Sequence, residues 1–265
     1  MIKVQNLTKT FGEIKAVVDV TFEVRPGEIF AFLGPNGAGK TTTIQMLTTL
    51  LRPTSGTVAI DGLDPVAKPL EVRKRFGIVF QDPSLDQELT AYENMDLHGV
   101  LYHVPRKVRA ERIEVLLKLF ELWDRRTSLV KTFSGGMRRR LEIARGLLHT
   151  PKILFLDEPT LGLDPQSRNQ LWTHVKHLNE TEGVTVFLTT HYMDEADRTA
   201  QRVAIIDHGK LVAQGSSAEL KAQTGADTLE AAFLKLTGTT IRDETASSAD
   251  AMRQMARMWS RGQRR

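Results

Sequence analysis

Short runs of unbroken apolar residues alternate with stretches of helical periodicity along most of this 265-residue chain. The runs at 29–33, 77–80, 153–156, 184–188 and 203–206 are rich in Ile, Val, Leu and Phe. Continuous rather than alternating apolarity marks strands covered on both faces, so these five predict a buried parallel sheet. Segments 3–8 and 17–24 alternate apolar and polar positions and predict a smaller antiparallel sheet. Residues 40–51 read as a helix. Between 90 and 150 the period is helical, which predicts a helical block inserted into an α/β core. No internal repeat is visible. TTIRDETASSAD at 239–250 is a polar linker, so the reading is one domain at 1–238 followed by a basic tail at 239–265.

Composition narrows this picture. With 41% apolar content the chain can bury one sizeable core. No apolar run approaches the roughly 18 residues that span a bilayer, and mean hydropathy is −0.25. The opening MIKVQNLTKTF lacks the apolar block of a signal peptide. Cysteine is absent, which excludes disulfides and thiolate metal sites and suits a reducing cytosol. The net charge of +4 is modest, and Arg253, Arg257, Arg261, Arg264 and Arg265 meet no acid in the tail. Met252, Met255, Met258 and Trp259 fall on one helical side there, which suits a membrane surface, packing on another subunit, or a frayed basic end.

The first chemical motif is GPNGAGKT at 34–41, which fits G-x-x-x-x-G-K-[ST] between a strand and a helix. Glycines at 34, 37 and 39 let backbone N–H groups turn toward phosphate oxygens. Lys40 can then reach the β- and γ-phosphates, and the Thr41 hydroxyl can ligand Mg²⁺. The second motif is KILFLDE at 152–158, an apolar strand ending in Asp157 and Glu158 where open α/β sheets bind ligands. Asp157 suits metal coordination, and Glu158 can accept a proton from an attacking water. The third is Ser134-Gly135-Gly136, opening a helix whose apolar face reads Met137, Leu141, Ala144 and Leu148. It is either a plain Ser cap or an anion site of bare N–H groups at a positive dipole end. Such an anion site lies too far along the fold to serve the same phosphate, so a second chain would complete it.

These motifs, in order from Phe11 to His191, resemble the nucleotide-binding subunit of ABC transporters. GPNGAGKT is similar to the family's Walker A, FSGGM to its signature and ILFLDE to its Walker B. The usual signature is LSGGQ; Phe133 and Met137 replace its ends, while Ser134-Gly135-Gly136 is intact. The resemblance implies an α/β P-loop NTPase fold with a mainly parallel sheet, a small antiparallel subdomain and an inserted helical subdomain. It implies a head-to-tail homodimer with ATP held between Walker A of one copy and the signature of the other. Nucleotide contacts are then expected from Gly34, Pro35, Asn36, Gly37, Ala38, Gly39, Lys40, Thr41 and Thr42, and across the interface from Ser134, Gly135, Gly136 and the D-loop Asp164. Thr41, Asp157 and Gln81 would hold Mg²⁺, and Glu158, His191, Gln81 and Lys40 would form the catalytic set. Phe11 matches the aromatic that stacks on adenine, and is otherwise a core phenylalanine beside the first sheet. Asp164, ahead of Pro165, is equally a helix N-cap.

TLEAAFLKLTG at 228–238, QDPSLDQELTAYEN at 81–94 and MRRRLEIARGLL at 137–148 resemble the drug-resistance exporter ATPases, relatives of the daunorubicin exporters. That resemblance implies a separate membrane permease and a peripheral position on the cytoplasmic face of the membrane. Arg138, Arg139, Arg140 and Arg145 invite a nucleic-acid reading, but aromatics for stacking bases are scarce. Glu142 can pair with Arg138 or Arg145 at helical spacing, so a solvated face or a permease contact is expected and nucleic acid is not. Two alternatives compete with the transport ATPase. A soluble ABC ATPase acting on ribosomes or DNA usually carries tandem cassettes or long coiled-coil insertions. A P-loop kinase or GTPase leaves Ser134-Gly135-Gly136, Gln81 and His191 unexplained.

Overall fold

Two sheets of opposite character pack against each other. The computed structural model describes residues 1–238, so the linker at 239–250 and the basic tail lie outside the described residues. Strands β1 (Ile2–Phe11), β2 (Ile14–Val24) and β4 (Ser55–Ile60) form an antiparallel sheet in the order β2-β1-β4. The larger sheet runs β5-β6-β7-β3-β8-β9, from β3 (Ile29–Leu33), β5 (Phe76–Val79), β6 (Ile153–Asp157), β7 (Thr185–Thr190), β8 (Arg202–Asp207) and β9 (Lys210–Gly215). Five of its strands are parallel, and β9 pairs antiparallel with β8 at the edge. Every residue of β3, β6 and β7 is buried, which is why apolar residues run unbroken through β3, through β6 up to Asp157 and through Val186, Phe187 and Leu188 of β7.

Side-chain alternation sends the two faces of this sheet into separate cores. Ala31, Leu154, Leu156, Val186, Leu188, Val203 and Ile205 meet the helices: α3 (Ala91–Leu101), α4 (Arg106–Leu119), α5 (Gly135–Leu147), α6 (Pro165–Glu182), α7 (Met193–Thr199), α8 (Ser217–Thr224) and α9 (Leu229–Thr237). Phe30, Phe32, Phe155, Phe187 and Ile206 face the antiparallel sheet and α1 (Lys40–Leu47). There Phe22 stacks on Phe30 and Phe187 with ring centroids 5.5 and 5.9 Å apart. The remaining helix, α2 (Pro69–Arg73), is a single short turn before β5.

The chain between β5 and β6 is helical, and its first helix opens at Thr90 with a capping box. Thr90 accepts from the Glu93 N–H while Glu93 accepts from the Thr90 N–H. Three expectations need correction. The helix expected at 40–51 ends at Leu47, because Thr49 turns left-handed at φ 67 and the Leu50 and Leu51 N–H groups fold back onto the Gln45 carbonyl. Strands β4 and β9 were not expected. Each lies at a sheet edge, and their sequences SGTVAI and KLVAQG mix polar and small residues with few buried apolar side chains. Edge strands keep one side solvated and therefore lose the apolar signal.

Candidate active site

Strand order assembles the site. Strands β6, β7 and β3 are adjacent and parallel, so their carboxyl ends bring together the acid pair, His191 and the phosphate loop. Strand β5, beside β6, delivers Gln81 two residues beyond its end. Gly34 follows β3 where a Cβ would sit 2.5 Å from the Ile206 carbonyl, so no larger residue fits. The loop then turns through exposed Asn36 and Gly37, with half-buried Pro35, to buried Ala38, whose carbonyl accepts from Gly209 N–H at 3.0 Å. Thr41 and Thr42 are half-buried on the first turn of α1.

Lys40 does not point into solvent. Its ammonium donates to the Gly34 carbonyl at 2.7 Å and the Pro35 carbonyl at 3.3 Å, and lies 3.3 Å from Glu158 Oε1. The other Glu158 oxygen meets His191 Nδ1 at 2.8 Å. One carboxylate thus bridges the phosphate-loop lysine and the histidine. Thr189, directly opposite Asp157 in the ladder, serves both acids. Its hydroxyl donates to Asp157 Oδ1 at 2.5 Å and accepts from the Glu158 N–H at 3.1 Å.

The neighbouring carboxyls are driven in opposite directions. Burial raises Asp157, assisted by the charge of Glu158 and opposed by bonds from Thr189 and Thr41 and by the charge of Lys40. Burial also works to raise Glu158, but the His191 bond and the Lys40 charge outweigh it and hold that carboxyl below its usual range. Glu158 is therefore ionised at neutral pH, as a proton acceptor must be. Asp157 and the Thr41 hydroxyl are hard oxygen donors at the end of the phosphate loop. Among the described residues no group of three His, Cys, Asp or Glu side chains could hold a metal. A sparse oxygen set fits Mg²⁺, which keeps waters and substrate phosphates as its other ligands.

The remaining candidates lie outside this cluster. Gln81 is exposed, and among the described residues its side chain has no hydrogen-bond partner. Phe11, at the end of β1, is half-buried with the Lys9 ammonium 4.9 Å from its ring centroid, and belongs to neither core. The core alternative for Phe11 is thereby corrected. Ser134 caps α5, accepting from the Met137 N–H at 3.3 Å, and both Ser134 and Gly135 are exposed. Asp164 caps α6, accepting from the Ser167 N–H at 2.9 Å with Pro165 at the first turn. A Cβ on Gly136 would come within 2.5 Å of Ser167 Oγ, so this glycine also lets the α5 turn pack on the α6 cap.

Sequence reasoning misread the arginine run. None of Arg138, Arg139, Arg140 and Arg145 is exposed, and Arg139 is buried. Glu142 pairs with Arg139 at 3.0 Å rather than with Arg138 or Arg145. A signal was present in the sequence. Gly136, Arg139, Ile143 and Gly146 share one helical arc, and small residues at both ends of an arc mark a face packed close to another backbone. The Gly146 carbonyl lies against Gly77 of β5.

A phosphate loop between a buried parallel strand and a helix, with acids closing a nearby strand, defines a P-loop nucleoside triphosphatase. The family described as ABC transporter matches residues 17–161. The daunorubicin/doxorubicin resistance ATP-binding protein DrrA of Streptomyces peucetius is 47% identical over 86% of this chain and 69% of its own. The linearmycin resistance ATP-binding protein LnrL of Bacillus subtilis is 39% identical over 86% of this chain and 73% of its own. A solved dimeric ATP-binding cassette in a post-hydrolysis state, bound to ADP and Pi, superimposes with a TM-score of 0.73 at 31% identity, covering 82% of this chain and 98% of that one. The chain belongs to the ABC transporter family, as an ATP-binding subunit that hydrolyses ATP. These relatives support the transporter reading and lend nothing to the ribosomal or nucleic-acid alternative.

Proposed function

We propose that two copies of this chain, seated on a separate permease at the cytoplasmic face of the membrane, power export of a drug-like or lipid-like substrate. The likeness to a daunorubicin/doxorubicin resistance subunit over most of the chain supports the cargo class. No helix among the described residues is long and apolar enough to cross a membrane, which accords with a permease supplied separately. The observation that carries the mechanism is the Glu158 carboxylate between Lys40 and His191.

In this reading the phosphate loop cradles the phosphates and Phe11 stacks on adenine. A γ-phosphate on Lys40 competes with Glu158 for the ammonium and frees that carboxylate to face a water. Glu158 takes the water's proton as oxygen attacks the γ-phosphorus and the bond to ADP breaks, while His191 and Lys40 hold the γ-phosphate. Thr41, Asp157 and Gln81 would hold Mg²⁺, which when bound offsets charge developing on the phosphate oxygens. The exposed Ser134 and Gly135, with buried Gly136 behind them, meet the γ-phosphate bound to the other copy, with Asp164 beside them at the interface. Closure of the pair moves the Gln81 loop and the helical block against the permease. Inside-out vesicles carrying the chain with its co-purifying permease should take up daunorubicin on addition of ATP and Mg²⁺. Uptake that needs no ATP, or that survives Glu158→Gln, would overturn the reading.

A further inference from the structure

We propose that Arg139 is a positioning residue that ties helix α5, and with it the Ser134-Gly135-Gly136 turn, to the backbone of Glu158 and to the loop bearing Gln81. The proposal rests on the reading of Glu158 as the base. An arginine has five N–H donors in a rigid planar fork, and Arg139 uses all of them. Its Nε donates to the Pro159 carbonyl at 2.7 Å, and Nη2 donates to the carbonyls of Asp157 at 2.9 Å and Glu158 at 3.0 Å. Nη1 donates to the Phe80 carbonyl at 2.5 Å and to Glu142 Oε2 at 3.0 Å. Arg139 is 7% exposed.

Consecutive carbonyls of an extended strand point to opposite sides, so three in a row cannot meet one guanidinium without a turn in the chain. Glu158 makes that turn by adopting φ 47, a left-handed conformation that L residues hold only when their surroundings over-determine it. Arg139 fixes the carbonyls on either side of the turn, and Thr189 fixes the Glu158 N–H. The direction of the Glu158 side chain is therefore set in part from α5.

The same helix grips the Gln81 loop at both ends. Arg139 holds the Phe80 carbonyl, the last before Gln81. At the far end Glu142 Oε1 accepts from the Ser84 N–H at 2.7 Å, and Arg145 donates to the Ser84 carbonyl at 2.8 Å. Arg139, Glu142 and Arg145 all follow the Ser134-Gly135-Gly136 turn on one rigid element. A shift of that turn, when it engages the other copy's nucleotide, is transmitted to the base and to Gln81 through bonds already formed.

The test compares full-length wild type, Glu158→Gln, Arg139→Lys and Glu142→Gln in ATP hydrolysis, equilibrium binding of a fluorescent ATP analogue, and hydrogen exchange. Arg139→Lys keeps the charge but lacks the fork. Its kcat should fall about 10- to 100-fold, as small misplacements of a reacting group do, with analogue affinity unchanged. Exchange should quicken in segments 79–85 and 157–163 and stay slow in β1 and β2. Unchanged kcat, a loss explained by affinity, or faster exchange throughout the chain would overturn the proposal and leave Arg139 a purely stabilising residue. Should Arg139→Lys fail to fold, Glu142→Gln decides. It should quicken exchange at 79–85 but not at 157–163 and lower kcat, and no change in either overturns the proposal. Hydrolysis surviving Glu158→Gln would instead refute the base assignment. Loss in Glu158→Gln with wild-type kcat in Arg139→Lys refutes only the role of Arg139.

Discussion

The phosphate loop with its acid pair and the Ser134-Gly135-Gly136 turn, both of which we propose meet phosphate, solve opposite problems. In the first, Lys40, Asp157 and Glu158 are 6%, 2% and 6% exposed, and each charge already has partners within the chain. In the second, Ser134 and Gly135 are exposed, and the Ser134 hydroxyl meets only its own helix. A buried charge is tolerable only when paired, so the hydrolytic half must neutralise itself and exchange partners when phosphate arrives. Helix N-terminal N–H groups are neutral donors that water can serve, so the receiving half can stand open. The difference supports the proposed division, in which one half carries the reaction and the other completes it on a second copy.

Four substitutions can break or sharpen that contrast, taken from the largest expected effect. Glu158→Gln removes the proton acceptor and should lower ATP hydrolysis by about 10²–10⁴-fold with nucleotide affinity intact; a phosphate-release assay beside a binding titration reads both. Ser134→Arg fills the open turn and should lower hydrolysis by about 10²–10³-fold, the scale of losing a donor to transition-state charge. Nucleotide affinity measured on the dilute single chain should not move, and its loss would show that the turn serves its own chain's nucleotide.

Lys40→Met probes the self-neutralised half through stability. It leaves Glu158 buried with one partner fewer, a loss of about 3 kcal/mol at neutral pH by the scale of broken buried pairs. The sign follows from the Glu158 carboxyl lying below its ordinary value of 4.5. A depressed carboxyl stabilises the fold above that value, and the stabilisation is lost as pH falls through its folded value. Urea midpoints of wild type and Lys40→Met should therefore differ at pH 7 and converge below pH 4.5. The smallest effect is expected from Thr189→Val, which removes the hydroxyl that orients Asp157. The Mg²⁺ concentration for half-maximal hydrolysis should rise about 10-fold, as when a residue supporting a metal ligand is lost, and chelation of Mg²⁺ should abolish activity in both proteins.

What the sequence revealed divides along the same physical line. The phosphate loop and the acid pair are contiguous in the chain, and their chemistry depends on local backbone, so a few adjacent residues declare them. The central strands declare themselves because burial on both faces leaves runs of apolar residues, with polar ones kept at the strand ends. β4 and β9 do not, since their outer edges stay solvated. Arg139 was hidden for a different reason. Three successive arginines look like a solvated face, and only the arc from Gly136 to Gly146 betrays that one of them points inward. Thr189 was hidden as one apolar-strand threonine among several, because its partner Asp157 comes from a strand far away in sequence.

The central claim is that one chain's phosphate site is completed by the Ser134-Gly135-Gly136 turn of another. Size-exclusion chromatography with light scattering on Glu158→Gln in ATP and Mg²⁺ tests it most directly, because slowed hydrolysis preserves the closed pair. The predicted result is twice the mass of the 29.7 kDa chain, reverting to a single chain when Ser134→Arg is added. A mass of one chain in ATP and Mg²⁺, alone and with the permease, would contradict it.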